Sequence, residues 1–254
     1  MSTSAATDLA SRLERHVARD VGGRGIAPLA EAAAGGLARA AAALADARAV
    51  TLITGFYVPA AHPPAAETDG PIGSAFLAAA LEARGVPVQV VTDHPCAPVV
   101  TAALAAMGVA ARCPVVAVAV DAVSAGEALE AVTARHDAAP PSHIVAVERC
   151  GPGAGGVPRN LRGEDISRYT APLERLFTPP AYRIAIGDGG NELGMGSLPR
   201  ALVADHIANG DVVGCTVPAD ALVVAGVSNW GAAALALLVG GPALADRLDG
   251  AAHD

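Results

Sequence analysis

The sequence predicts an α/β protein: a doubly wound, mostly parallel sheet with helices on both faces, a Rossmann-like three-layer sandwich. Three observations predict it. Six short runs rich in Val, Ile and Leu are almost continuously apolar, the pattern of strands buried on both faces. Helix-length apolar segments stand between most of them, and strand alternating with helix argues for βαβ units. Hydrophobic residues make up 52% of the chain and aromatics only 3%, so the core must be built from Ala, Val, Leu and Ile.

The elements follow in order. The first 46 residues read as an Ala-rich helical segment, weakened at its centre by Gly35 and Gly36. Strands are predicted near 49–55 (AVTLITG), 86–93 (VPVQVVTD), 114–121 (PVVAVAVD), 143–149 (HIVAVER), 182–190 (YRIAIGDGG) and 219–226 (ADALVVAG). PIGSAFLAAALEARG, residues 71–85, opens on Pro71 and stops at Gly85, as a helix should. Helices are also expected at 97–108, at 124–136, and from 228 onward in SNWGAAALALLVGG. Two connections, 55–70 and 149–172, are too long for turns, and their polar content favours function. No internal repeat or charged linker divides the chain, so residues 1–254 are expected to form one α/β domain with an N-terminal helical segment at about 1–46.

Composition excludes several classes. The formal net charge is −8 with no basic stripe, which argues against nucleic acid as a partner. Every one of the 17 basic residues is arginine. A P-loop needs a lysine on its phosphates and a pyridoxal enzyme needs one for its Schiff base, so ATP and PLP chemistry of those types are excluded. Cys96, Cys113, Cys150 and Cys215 have no zinc-type spacing and read as small buried hydrophobes. Residues 1–20 lack the apolar centre of a signal peptide, and no run approaches a membrane span. A soluble, cytoplasmic protein with no membrane partner is the expectation.

In open α/β sheets ligands lie beyond the carboxyl ends of the strands, and here those ends are polar. They carry Glu148-Arg149, the stretch from Gly187 to Glu192, and Ser228-Asn229-Trp230; the first long loop ends Glu67-Thr68-Asp69-Gly70-Pro71. A parallel sheet brings these four segments to one rim. Each also has a plainer reading: Glu67 or Asp69 could cap the following helix, Ser228 or Asn229 could cap the last one, and Glu148-Arg149 could be a surface ion pair. The segment IGDGGNELGMG, residues 186–196, is harder to explain away. Its glycines suit a nest of backbone N–H groups for an anion, and Asp188 and Glu192 beside it suggest that the anion's protons are also moved.

The motifs ETDGP, ER followed by a Gly-rich loop, NLRGEDIS, IGDGGNELGMG and GVSNWG occur in that order, and together they resemble the D-glutamate cyclase family over roughly residues 20–240. The resemblance implies dehydration of D-glutamate to 5-oxo-D-proline: the α-amine attacks the γ-carboxyl group and closes a lactam. That reaction is intramolecular, so holding the substrate folded can supply up to ~7–11 kcal/mol. It requires neither ATP nor a covalent amine. On this reading Asp188 or Glu192 is the general base, and Glu148 or Asp69 is the acid at the departing oxygen. Gly70, Gly189, Gly190 and Asn191 belong to the substrate site, with the amides of 187–191 facing the oxyanion. Arg149, Arg162 or both hold a carboxylate bidentately, and Ser228 and Asn229 orient the substrate. No cofactor is demanded, but Asp69, Glu148, Asp188 and Glu192 would suit Mg²⁺ or Mn²⁺ as a Lewis acid. The partner expected is a small-molecule carboxylate. A related cyclase or hydro-lyase for another small amino or carboxylic acid is the alternative enzyme, and a non-catalytic small-anion-binding module is the alternative of another class.

Overall fold

The computed structural model describes residues 3–121, 126–127, 129–134 and 139–251. Helices α1 (Thr3–Val17), α2 (Ala27–Ala32) and α3 (Gly36–Ala45) precede strand β1 (Val50–Thr54). A two-residue antiparallel pair, β2 (Tyr57–Val58) and β3 (Ala65–Ala66), lies within the first long loop. Then follow α4 (Pro71–Ala83), β4 (Val88–Asp93), α5 (Ala97–Ala106), β5 (Val115–Val118), β6 (His143–Val147) and β7 (Tyr182–Gly187). The chain continues through α6 (Arg200–His206), α7 (Gly210–Val213), β8 (Ala221–Val224) and α8 (Ser228–Ala251). Within α8 the helical path is broken at Gly241, which has φ 51°. All six predicted strands of the main sheet form. Of the helix expected at 124–136, residues 126–127 and 129–134 are helical, and the remainder lies outside the described residues.

The strand order is β5-β4-β1-β6-β7-β8, and every neighbouring pair is parallel. The six strands thus run 3-2-1-4-5-6 in sequence order, the doubly wound arrangement. Alternation along each strand separates two apolar layers, because successive side chains point to opposite faces. Val50, Leu52, Val90, Val145, Val147, Ile184 and Ile186 face α3, α4, α5 and the first half of α8. Ile53, Val91, Ile144, Ala146, Ala185 and Leu222 face α2, the helical residues 129–134, and the chain from Ala171 to Cys215. The four cysteines are buried and unbridged.

Chain direction reverses its winding between β1 and β6, where Thr54 pairs with Val147. A crevice opens at such a switch point because successive connections leave on opposite faces. Register brings the ends of β7 and β8 to the same edge, with Gly187 opposite Val224.

Candidate functional site

Glu148 is the first residue beyond β6. Its φ is 46°, a left-handed conformation that costs a non-glycine residue about 1–2 kcal/mol. The turn directs Glu148 into the crevice and Arg149 away from it. Glu148 is 5% exposed, and the fully buried Ser228 hydroxyl donates to its Oε2 at 2.5 Å. Gly70 packs beside it at φ 92°; a Cβ there would stand 2.6 Å from Thr54 Oγ1 and 2.9 Å from Glu148 Cβ.

Asp69 and Asn229 cap each other's helices. The Asp69 carboxylate accepts the amides of Ser228 at 3.0 Å and Asn229 at 2.6 Å, at the start of α8. Asn229 Oδ1 accepts the amides of Gly70 at 2.9 Å and Gly73 at 2.7 Å, at the start of α4. Neither residue caps the helix that directly follows it in the simple sense of the sequence reading. The exchange fixes the ETDGP loop to the SNWG turn, placing two helix N-termini at the crevice with their partial positive charge.

Asp188 and Glu192 follow β7. The amides of Asp188 and Gly190 donate to Glu192 at 3.2 and 2.7 Å. The backbone nest is therefore filled by the protein's own carboxylate, which corrects the expectation that the amides of 187–191 face a substrate oxyanion. Asp188, itself 4% exposed, instead lies at the wall of the crevice and pairs with Arg24. Gly189 leaves room for the fold: a Cβ there would lie 3.0 Å from Glu192 Oε1. The Asn191 amide group donates to the Arg159 carbonyl at 2.8 Å, tying the second long loop to the site.

Burial dominates the electrostatics. It pushes the Glu148 carboxyl well above the ordinary carboxylate range, and the charges of Asp188, Glu192, Asp69 and Glu67 add to that. Burial, then repulsion from Glu192, pushes Asp188 up to about 8 although Arg24 opposes it. Burial also raises Glu192, against the hydrogen bonds from its backbone donors. Glu67 is raised by burial and by Asp69. Burial and mutual repulsion thus raise the proton affinity of these carboxyl groups, the kind of tuning that acid–base catalysis uses. Asp69, Glu148 and Asp188 each offer an oxygen lying within 4.8 Å of the others, so a divalent cation could be held there.

A cleft of about 390 Å³ opens over these groups, lined by Glu148, Asp188, Asn191, Glu192, Glu67, Arg24, Arg162 and the apolar residues around Phe56. The structure thus brings together all four nominated carboxylates with Gly70, Gly189, Gly190, Asn191, Ser228 and Asn229. It separates Arg149, which is 1% exposed and points away from the cleft. Its guanidinium binds both oxygens of Asp93 and the carbonyls of Gly55 at 3.0 Å and Ala171 at 2.6 Å. Both terminal nitrogens are engaged and the Nε, though without a partner, is buried, so no donor fork is free for a substrate, which corrects its expected role. Arg162 lies at the cleft wall but is exposed. Sequence reasoning missed Arg24 because 1–46 read as helix throughout; the signal was an arginine set among glycines in GGRG, residues 22–25.

The sequence profile described as "D-glutamate cyclase-like, C-terminal" matches residues 13–244. The human protein named "D-glutamate cyclase, mitochondrial" is 37% identical over an alignment of 238 residues that covers 88% of this chain and 37% of the human protein. The chain therefore spans little more than a third of that relative's length. The relative's mitochondrial name overturns the cytoplasmic expectation stated above. Among the described residues no helix is long and apolar enough to cross a membrane.

Proposed function

We propose a reaction for this chain, which belongs to the D-glutamate cyclase-like family: the dehydration of D-glutamate to 5-oxo-D-proline and water. Family membership and the acidic cluster support a cyclase or lyase type of activity. The observation that carries the finer reading is the set of buried carboxyl groups, Glu148, Asp188 and Glu192, beside a cleft of about 390 Å³.

The α-nitrogen bonds to the γ-carbon, and one γ-oxygen departs as water. The ammonium gives up two protons and the departing oxygen gains two, so the protein has only to relay them. Asp188, pushed up to about 8 and open to the cleft, takes the ammonium proton. Glu148, whose proton affinity is raised by burial, delivers a proton to the departing oxygen. Glu192 is enclosed in its nest and acts on Asp188 through charge. Asp69 holds the ends of α4 and α8 in place around the substrate. The remaining acceleration comes from holding the chain folded on itself, with amine and carboxyl in contact.

The convergence of Asp69, Glu148 and Asp188 favours a metal-assisted variant. These three hard oxygen donors fit Mg²⁺ or Mn²⁺, and either ion would supply Lewis-acid polarisation of the γ-carboxyl group.

Incubation with D- and L-glutamate separately, with and without EDTA, followed by chiral separation of 5-oxoproline, tests both. Product from D-glutamate is expected. No product from either enantiomer, with or without added Mg²⁺ or Mn²⁺, sinks the cyclase reading, and full activity after exhaustive chelation removes the metal.

A further inference from the structure

Five carboxylates gather at the cleft: Glu67, Asp69, Glu148, Asp188 and Glu192. An acid entering this field is repelled unless a cation receives it. Arg149 is sealed away, and Arg162 is exposed. Arg24 is the arginine whose guanidinium meets the cluster, one-third exposed at 35% and paired with Asp188.

The backbone that carries Arg24 is built to aim it. Asp20 accepts the amides of Arg24 at 2.9 Å and Gly25 at 2.8 Å. Gly25 has φ 85°, and a Cβ there would stand 2.3 Å from the His206 carbonyl oxygen at the end of α6. The Gly226 amide donates to the Val17 carbonyl at 2.7 Å, tying the end of α1 to the turn before α8. The loop between α1 and α2 is thus locked against two distant elements, and its arginine crosses into the cleft. A guanidinium has five donors in a fixed fork. Asp188 is its side-chain partner among the described residues, which leaves donors for a second carboxylate.

The pair has a chemical complement. An α-amino acid carries a carboxylate and an ammonium on one carbon. A protein cation touching a protein anion matches that head charge for charge. We propose that the Arg24–Asp188 pair recognises the α-amino-carboxylate head of the substrate, Arg24 taking the α-carboxylate and Asp188 facing the ammonium. The assignment rests on the reading of the site as one for an amino acid. It explains how the ammonium reaches Asp188: a carboxylate held by Arg24 leaves the neighbouring nitrogen beside it. It also makes the N-terminal segment part of the site.

The test compares D-glutamate with 4-aminobutanoate, the same molecule without the α-carboxylate, by titration calorimetry on the full chain. The wild type should bind D-glutamate about 30-fold more tightly, the worth of a charge-assisted bidentate contact. Arg24→Gln should bring the ratio to about threefold or less, and Arg24→Lys, which keeps charge but loses the fork, should fall between. Melting curves establish that each variant is folded; should Arg24→Gln not fold, the Arg24→Lys ratio decides. A ratio unchanged in the folded variants, or a wild type that binds neither compound or does not distinguish them, overturns the proposal. Arg24-dependent binding of D-glutamate without 5-oxoproline formation would instead leave it standing and refute the cyclase reading alone.

Discussion

Arg149→Met separates a structural arginine from a substrate clamp. The guanidinium is 1% exposed and lies against Asp93, also 1% exposed. It joins the ends of β4 and β6 to the Gly55 carbonyl after β1 and the Ala171 carbonyl of the second long loop. Removing it leaves the Asp93 carboxylate buried, with the Ala171 amide at 2.8 Å as its remaining hydrogen-bond donor among the described residues. Breaking a buried pair by removing one partner costs about 3–5 kcal/mol, mostly from the orphaned charge. For a chain of this size that is a fall in Tm of roughly 6–20 °C. Asp93→Asn in the same chain removes that charge, so the double variant should recover at least about 1 kcal/mol over the sum of the single changes. Urea titrations followed by far-UV circular dichroism measure all three. In the protein that remains folded, KM for D-glutamate should be within about threefold of wild type, since the terminal nitrogens of Arg149 are engaged by Asp93, Gly55 and Ala171 and its Nε is buried. Arg149→Met that costs less than about 1 kcal/mol and raises KM about tenfold or more would refute this reasoning and restore the clamp.

Three further outcomes are expected. In Glu192→Gln the negative charge that helps raise Asp188 is gone, so the rising limb of the pH–rate profile, set by deprotonation of Asp188 near about 8, should move to lower pH; a limb that stays or moves up contradicts the proton-transfer assignment. In EDTA, stability should decline with rising pH. Asp188 has a folded value of about 8 against 3.8 unfolded, so its contribution is complete below about 4 and lost as pH climbs through about 8, with a slope of up to about 1.4 kcal/mol per pH unit. Asp188→Asn should flatten that slope in urea titrations, and an unchanged slope would show that Asp188 is not the group responsible. Gly194→Ala should cost about 2–4 kcal/mol, because φ is 94° and a Cβ would stand 2.2 Å from Ala185 Cβ; a melting temperature within about 2 °C of wild type would contradict that packing.

The sheet was legible because its strands are buried over most of their length, β1, β6 and β8 at every residue, and so read as nearly continuous apolar runs; the edge strand β5 is more open but keeps the same composition. The rim followed from topology: once the strands are parallel, their carboxyl ends share an edge, and the polar residues there were already visible. Side-chain direction was not legible. Glu148 and Arg149 are adjacent, yet a left-handed turn sends one into the cleft and the other into the core, and sequence spacing carries no sign of that φ. Nor does it show that Asn229 and Asp69 exchange caps across 160 residues of chain, since each alone reads as a cap for its own helix. Arg24 was hidden because a helical average over the first 46 residues passes over the glycines that break it.

The glycine-rich segment shows how these levels connect. Glycine exposes backbone N–H groups, and on sequence alone an external anion is the natural occupant of such a nest. Here the occupant comes from the same turn. A Cβ on Gly187 would stand 2.9 Å from Glu192 Cβ, one on Gly189 would crowd the Glu192 carboxylate, and Gly190 turns at φ 94° to let the chain close over it. The bare backbone makes space for Glu192 to fold back, and the amides of Asp188 and Gly190 keep it there. Burying a carboxyl group beside another is unfavourable in itself, and nothing in the packing of β7 requires an acid at this position. Its consequence is at Asp188, which is left facing the cleft with its proton affinity raised first by burial and then by a neighbour that cannot move away. Arg24 then sets the opposing pull from outside the turn. The glycines thus act on the site at one remove: they fix the charge that tunes the carboxyl group facing the cleft.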